Sequence, residues 1–251
     1  MKLARDKLVQ HLQRIMCNGQ INEAVFTGAF ETTALSPDHQ LLVVAPALPK
    51  TRVLAKKGEM VGVADLDLFR WAATVRAGTG NEAVNVDITF ENHRLLIDEG
   101  TDRGVLDLKT ADARTISTFI ESEVVEKLFE KAPKEKGGVA ITEDMADAIC
   151  TTFRRMKVAE IELFIGPDGG MFRVGNPEVS HAYKRVCAEL KAPQEYSLLF
   201  GEHLAHVLNV VTNYAEARLF FGGPDGFVLI NDGGYKYILS SRAKSADEES
   251  A

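Results

Sequence analysis

Four stretches of the chain carry apolar residues at helical spacing. In the first, Leu8, Leu12, Ile15 and Met16 line one side, while Lys7, His11 and Arg14 share another, with Arg5 just ahead of them. The second runs from about residue 67 to 77, with Leu68, Ala72 and Val75 inward and Arg70 and Arg76 elsewhere. The third opens with Thr142 as an N-cap and Glu143 and Asp144 in its first turn, where they suit the helix dipole. Its apolar side is Met145, Ile149, Phe153 and Met156, and it finishes on Arg154, Arg155 and Lys157. The fourth, from about 202 to 213, buries Leu204, Val207, Leu208 and Val211.

A short apolar stretch precedes each helix: MKL, VGVA at 61–64, VAI at 139–141 and YSLLF at 196–200. Alternating strands follow. Val84, Val86, Ile88 and Phe90 run up to a turn at 91–93 and return along 95–97, and Ile161, Leu163 and Ile165 run up to Pro-Asp-Gly-Gly and return along 172–174. Leu219 to Phe221 and Phe227 to Ile230 do the same around GGPDG, and 182–190 and 235–239 read as further strands. The letters NEAV occur at 22–25 and again at 81–84, and AEIELFIGPDGG from Ala159 echoes AEARLFFGGPDG from Ala215. Each echo falls where a helix hands the chain to the first strand of a hairpin. Four strand–helix–strands units, paired into two halves, account for this.

Composition fits that division. The 251 residues are 45% hydrophobic and 26% charged, enough for two domains with cores of their own. The expected domains are 1–117 and 139–243, joined by a connector at 118–138 and closed by a disordered acidic tail at 244–251, KSADEESA. Phe119, Ile120, Val124, Val125, Leu128 and Phe129 make the connector too apolar to hang in water, so it should dock on a domain with a helical turn. No run approaches the ~20 apolar residues of a membrane span, and the opening alternates charged and apolar residues, so a cytoplasmic location with no membrane partner is expected.

Enzyme signals are sparse. The glycine-rich GPDGG and GGPDG lack the lysine of a phosphate loop and join strands, so they read as hairpin turns. His203 and His206 sit at i, i+3 beside Glu202, a spacing that can hold a metal but lacks a third ligand, so a polar helix face is expected. Cys17, Cys150 and Cys187 show no CxxC spacing and read as buried thiols. No catalytic residue, metal or cofactor is expected.

The formal net charge is −7, which disfavours phosphate binding unless the positive charges are gathered. They are gathered on the helices: Arg5, Lys7, His11 and Arg14 on the first, Arg70 and Arg76 on the second, Arg154, Arg155 and Lys157 on the third. Solvated helix faces would give the same letters. Repeats that set equivalent helices on one side of one sheet would instead sum these charges.

With these features the chain resembles the DNA polymerase sliding clamps, in particular the two-domain protomers of proliferating cell nuclear antigen and of phage clamps. The likeness lies in the paired βαβββ pattern, in the ending GGYKYILSSRAKSADEES, and in the segments MKLARDKLVQHL, ITEDMADAICTTFRRMKVAEIELFI and EYSLLFGEHLAHVLNVV. It implies an α+β clamp fold with helices lining a ring and sheets outside. Three subunits would close head to tail, pairing edge strands near 104–109 of one with 179–186 of the next. The ring would encircle double-stranded DNA without reading sequence, tether the replicative DNA polymerase and be opened by an ATP-dependent clamp loader. Partner peptides would dock on Val124, Val125 and Leu128 of the connector with Ile238 and Ser240. The fourth helix departs from this, offering His203, His206 and Asn209 where lysine or arginine is expected. Two other readings stay open: a subunit of a heteromeric clamp, or a small metal- or phosphate-dependent enzyme using Glu202, His203 and His206.

Overall fold

The computed structural model describes residues 2–27, 29–48, 60–75, 85–91, 93–98, 105–132, 138–157, 160–175, 183–187, 191–192, 194–222 and 227–243. The chain forms two compact units, Met1–Glu121 and Ser122–Ala251.

In the N-terminal unit the first half runs β1 (Lys2–Ala4), α1 (Arg5–Met16), β2 (Ala24–Phe26), β3 (Thr32–Leu35) and β4 (Leu41–Ala45). The second half repeats the order as β5 (Val61–Val63), α2 (Leu66–Val75), β6 (Asn85–Glu91), β7 (Arg94–Asp98) and β8 (Leu106–Lys109). The halves exchange their first strands: β1 pairs with β6, giving the order β1-β6-β7-β8, and β5 pairs with β2 beside β3 and β4. A unit so crossed cannot shed one half without opening both sheets.

The C-terminal unit begins with α3 (Ser122–Lys131), so ten residues of the expected connector form a helix and not a single turn. It continues β9 (Val139–Ala140), α4 (Glu143–Met156), β10 (Ile161–Gly166), β11 (Gly169–Val174) and β12 (Tyr183–Cys187). The second half is β13 (Tyr196–Phe200), α5 (Glu202–Val210), β14 (Arg218–Phe221), β15 (Val228–Asp232), β16 (Tyr235–Leu239) and the short β17 (Arg242–Ala243). The same exchange recurs, β9 pairing with β14 and β13 with β10. Four βαβββ units, two per body, are therefore present. β8 and β12 each lie at one end of their sheets.

Local chemistry explains the elements. Thr142 Oγ1 accepts the Met145 N–H at 3.2 Å and caps α4, whose first turn is acidic and last turn basic. The β10–β11 hairpin pairs Gly166 with Gly169 across Pro167 and Asp168, so GPDGG is a turn. Gly233 and Gly234, at φ 57° and 94°, supply the two left-handed residues of the β15–β16 turn. The PDG of the other glycine-rich stretch lies outside the described residues.

The N-terminal core gathers Leu8, Leu12 and Ile15 of α1 with Leu66 and Phe69 of α2 over the strands. Phe30 packs edge-on against Phe26, with centroids 5.6 Å apart, and lies 6.2 Å from Phe69. Its backbone is left-handed, at φ 61°, a conformation costing about 1–3 kcal/mol for a bulky residue. Burial of its ring and a hydrogen bond to its carbonyl hold it there. In the C-terminal unit Ile149, Leu163, Phe172, Phe200, Leu204, Leu208 and Tyr237 are fully enclosed.

Candidate nucleic-acid interface

The helices present the cations unequally. On α4, Arg154, Arg155 and Lys157 are exposed and crowd the C-terminal turn, where Arg154 Nε also donates to the Cys150 carbonyl at 3.2 Å. Glu143, Asp144 and Asp147 are exposed toward the other end. The helix is thus polarised along its axis, and only its last turn offers phosphates a positive surface.

On α1, Lys7 is exposed and Arg14 half-buried. Arg5 is mostly enclosed and sits 3.2 Å from Asp6. His11 corrects the sequence reading. It is 1% exposed, and its Nε2–H donates to the Phe30 carbonyl at 2.8 Å. Burial holds its pKa down to about 4, against the partial opposition of that hydrogen bond, and nearby Arg14 lowers it further. The ring is neutral and cannot meet a phosphate. At 100° per residue His11 lies between the polar side and the Leu8–Leu12–Ile15 stripe, and the Phe30 carbonyl draws it inward.

On α2, Arg70 is half-buried and forms a surface ion pair with Asp67 at 2.6 Å. Arg76 lies outside the described residues. Leu68 reverses the expected orientation: it is 42% exposed beside Trp71 at 50%, while Leu66, Phe69, Ala72 and Ala73 face the core. The sequence reading did not single out Trp71, because an aromatic at helical spacing is ordinary core material. On α5, His203 is buried and not on a polar face as expected. His206 is half-buried, 3.7 Å from Glu202, and burial lowers its pKa, with Glu202 raising it and His203 lowering it in turn. Among the described residues no three His, Cys, Asp or Glu side chains are grouped to hold a metal.

A second surface lies on α3. Val124 is 45% exposed and Val125, Leu128 and Phe129 are half-buried. The Lys236 ammonium sits 5.6 Å from the Phe129 ring centroid, a cation–π contact tying the helix to β16. Ser240 is half-buried just beyond that strand. Ile238, expected to meet a partner, is 3% exposed: it shares the face of β16 that carries Lys236, opposite Tyr235, Tyr237 and Leu239, and both faces of the strand are covered at that point.

Two of the cysteines are inert thiols. Cys17 and Cys150 are buried, burial raising both pKa values, that of Cys150 to about 11. The Cys187 side chain lies outside the described residues. Among the described residues no helix is long and apolar enough to cross a membrane.

Crossed pairs of βαβββ units define the DNA clamp fold, and solved structures bear this out across nearly the whole chain. The structure of A. fulgidus PCNA with the C-terminal region of FEN-1 is similar over 97% of this chain and 98% of that one, with TM-score 0.65 and 13% identity. PCNA from Thermococcus kodakaraensis matches 96% of this chain and 98% of its own, with TM-score 0.64 and 15% identity. The DNA polymerase III subunit beta of Pseudomonas aeruginosa matches 96% of this chain at TM-score 0.62 and 15% identity, over 65% of its own length. The chain has the fold of the sliding clamps. No protein-family model and no curated protein matches its sequence.

Proposed function

We propose that this chain is a sliding clamp: a non-enzymatic ring of three copies that encircles duplex DNA and tethers the replicative DNA polymerase. The observation that carries the reading is the exposed Arg154, Arg155 and Lys157 cluster on a helix of a clamp-fold unit in a chain of net charge −7. Such cations meet phosphates without reading bases, so they position a duplex and let it slide. Retention then comes from topology. In the N-terminal unit α1 offers cations of its own, the exposed Lys7 and the half-buried Arg14.

Closure would pair the sheet-end strand β8 of one copy with β12 of the next, a head-to-tail contact whose rotation closes after three steps. A closed ring has no free end to admit DNA, which implies an ATP-dependent loader. The α3 surface, with Val124, Val125 and Leu128 beside Ser240, suits an apolar peptide from a polymerase or loader. The A. fulgidus PCNA structure, which holds the C-terminal region of FEN-1, supports that use. Light scattering tests the assembly: the reading expects about 82 kDa, three times 27.5 kDa. A monomer of 27.5 kDa at every concentration would overturn it.

A further inference from the structure

In the C-terminal unit the sheet face turned away from α5 carries an apolar strip that is out of solvent. Phe220 of β14 stands directly opposite Leu229 of β15, and Leu229 opposite Ile238 of β16, so the three side chains form one row on one face. They are 7%, 2% and 3% exposed. The core face of the same strands is a different row, Leu219, Ile230 and Tyr237, on the side of α5. What lies over the strip is the connector. Phe129 of α3 sits on Lys236, which shares the Ile238 face, and at the other end Gly138 comes so close to Phe220 that a Cβ there would collide with its ring.

The helical part of this cover is lightly held. None of the described α3 side chains is fully buried: Val125, Leu128 and Phe129 are half-buried and Val124 is 45% exposed. A ten-residue helix draws little stability from its own hydrogen bonds, so α3 depends on this docking. The strip does not depend on α3, because the β14–β15–β16 ladder holds it in place.

We propose that α3 is a lid over Phe220, Leu229 and Ile238, and that an apolar peptide bearing an aromatic side chain takes the strip by displacing it. The proposal rests on the partner-surface reading of α3 above. The occupant's chemistry follows from what covers the strip now, an amphipathic segment whose Phe129 ring meets the Lys236 ammonium. A peptide of the same kind regains the burial and the cation–π contact that α3 gives up, so its affinity is set by how firmly the lid is held.

Hydrogen exchange on the full-length protein tests this, with the synthetic peptide SEVVEKLFEK, the sequence of residues 122–131, as the competing segment. The peptide is made with carbon-13 so that its fragments are told apart by mass. A lid pushed aside exchanges faster: saturating peptide should speed the α3 amides about tenfold while β15 and β16 keep their protection. A control peptide with serine in place of Val124, Val125, Leu128 and Phe129 should leave α3 unchanged. Slower exchange along α3 would make the helix a fixed wall, overturning the proposal and leaving the partner-surface reading intact.

Thiol labelling, over the background of the unsubstituted protein, gives a second reading. Ile238→Cys on the strip should react about tenfold faster than Leu239→Cys on the core face, and Phe129→Ala should raise the first rate further and leave the second unchanged. Phe129→Ala should also tighten peptide binding about tenfold, because the competing cover is weakened. Equal rates at the two cysteines, or weaker peptide binding in Phe129→Ala, would overturn the lid. Fast labelling of Ile238→Cys with no effect of SEVVEKLFEK on α3 exchange would overturn the partner-surface reading, and the proposed occupant with it.

Discussion

Glu23 Oε1 accepts the backbone N–H of Ser117 at 2.6 Å, fastening the start of β2 to a segment 94 residues further along the chain. The same oxygen accepts the Ser117 hydroxyl and, at 3.3 Å, the Thr118 N–H, while the Thr118 hydroxyl donates to the Glu23 carbonyl at 2.8 Å. One carboxylate thus pins the end of the N-terminal unit to its first hairpin. Glu23→Ala would leave these donors without their acceptor and is expected to cost about 2 kcal/mol, read from the urea midpoint. Glu23→Gln keeps an acceptor oxygen and should cost less. Equal stability of all three proteins would remove this contact from the account.

His11 ties stability to pH. Its folded pKa, about 4, lies below the ordinary 6.5, so between those values the unfolded chain binds a proton that the folded chain refuses. Its contribution is complete above pH 6.5 and is lost as pH falls toward 4, to a limit of about 3 kcal/mol. Urea unfolding of the wild type and His11→Gln at pH 7 and pH 4.5 checks this. The wild type should lose the greater stability on acidification, and parallel losses would show that His11 is not the titrating group.

The exposed arginines of α4 are predicted to set the salt dependence of DNA binding. Arg154→Glu with Arg155→Glu should lower affinity and reduce the slope of log K against log salt by about 2, since each phosphate contact contributes about 0.9. Stimulation of the polymerase should fall while the assembly mass stays unchanged. An unaltered slope would place the DNA elsewhere.

The sequence spelled out the units better than the site. Helical stripes located α1, α2, α4 and α5, and alternation located the hairpins β6–β7, β10–β11 and β14–β15, but β3 and β4 went unread. Four of the five β4 residues are buried, so it shows no period of two, only an apolar run. The exchange of first strands is tertiary and leaves no local mark. Repeated letters also hid unequal roles: Glu23 clasps Ser117, whereas Glu216 of the last echo accepts from Asn213 Nδ2 at 2.9 Å. At the site, charge type was legible and availability was not. Arg70 reads as a cation until Asp67 is seen beside it, and His11 reads as polar surface until the Phe30 carbonyl is found beneath it. Leu68 and Trp71 show the same limit from the apolar side. On a helix apolar around much of its circumference, periodicity does not tell which side meets the core.

The central claim is that the protein encircles DNA, and topology tests it most directly. The protein is threaded at high concentration onto linear duplex with one free end, that end is blocked with a bulky tag, and the complex is washed in high salt. The account predicts that protein stays on the doubly blocked duplex and leaves when a restriction cut frees an end. Loss in high salt from the uncut duplex, or retention after the cut, would contradict it.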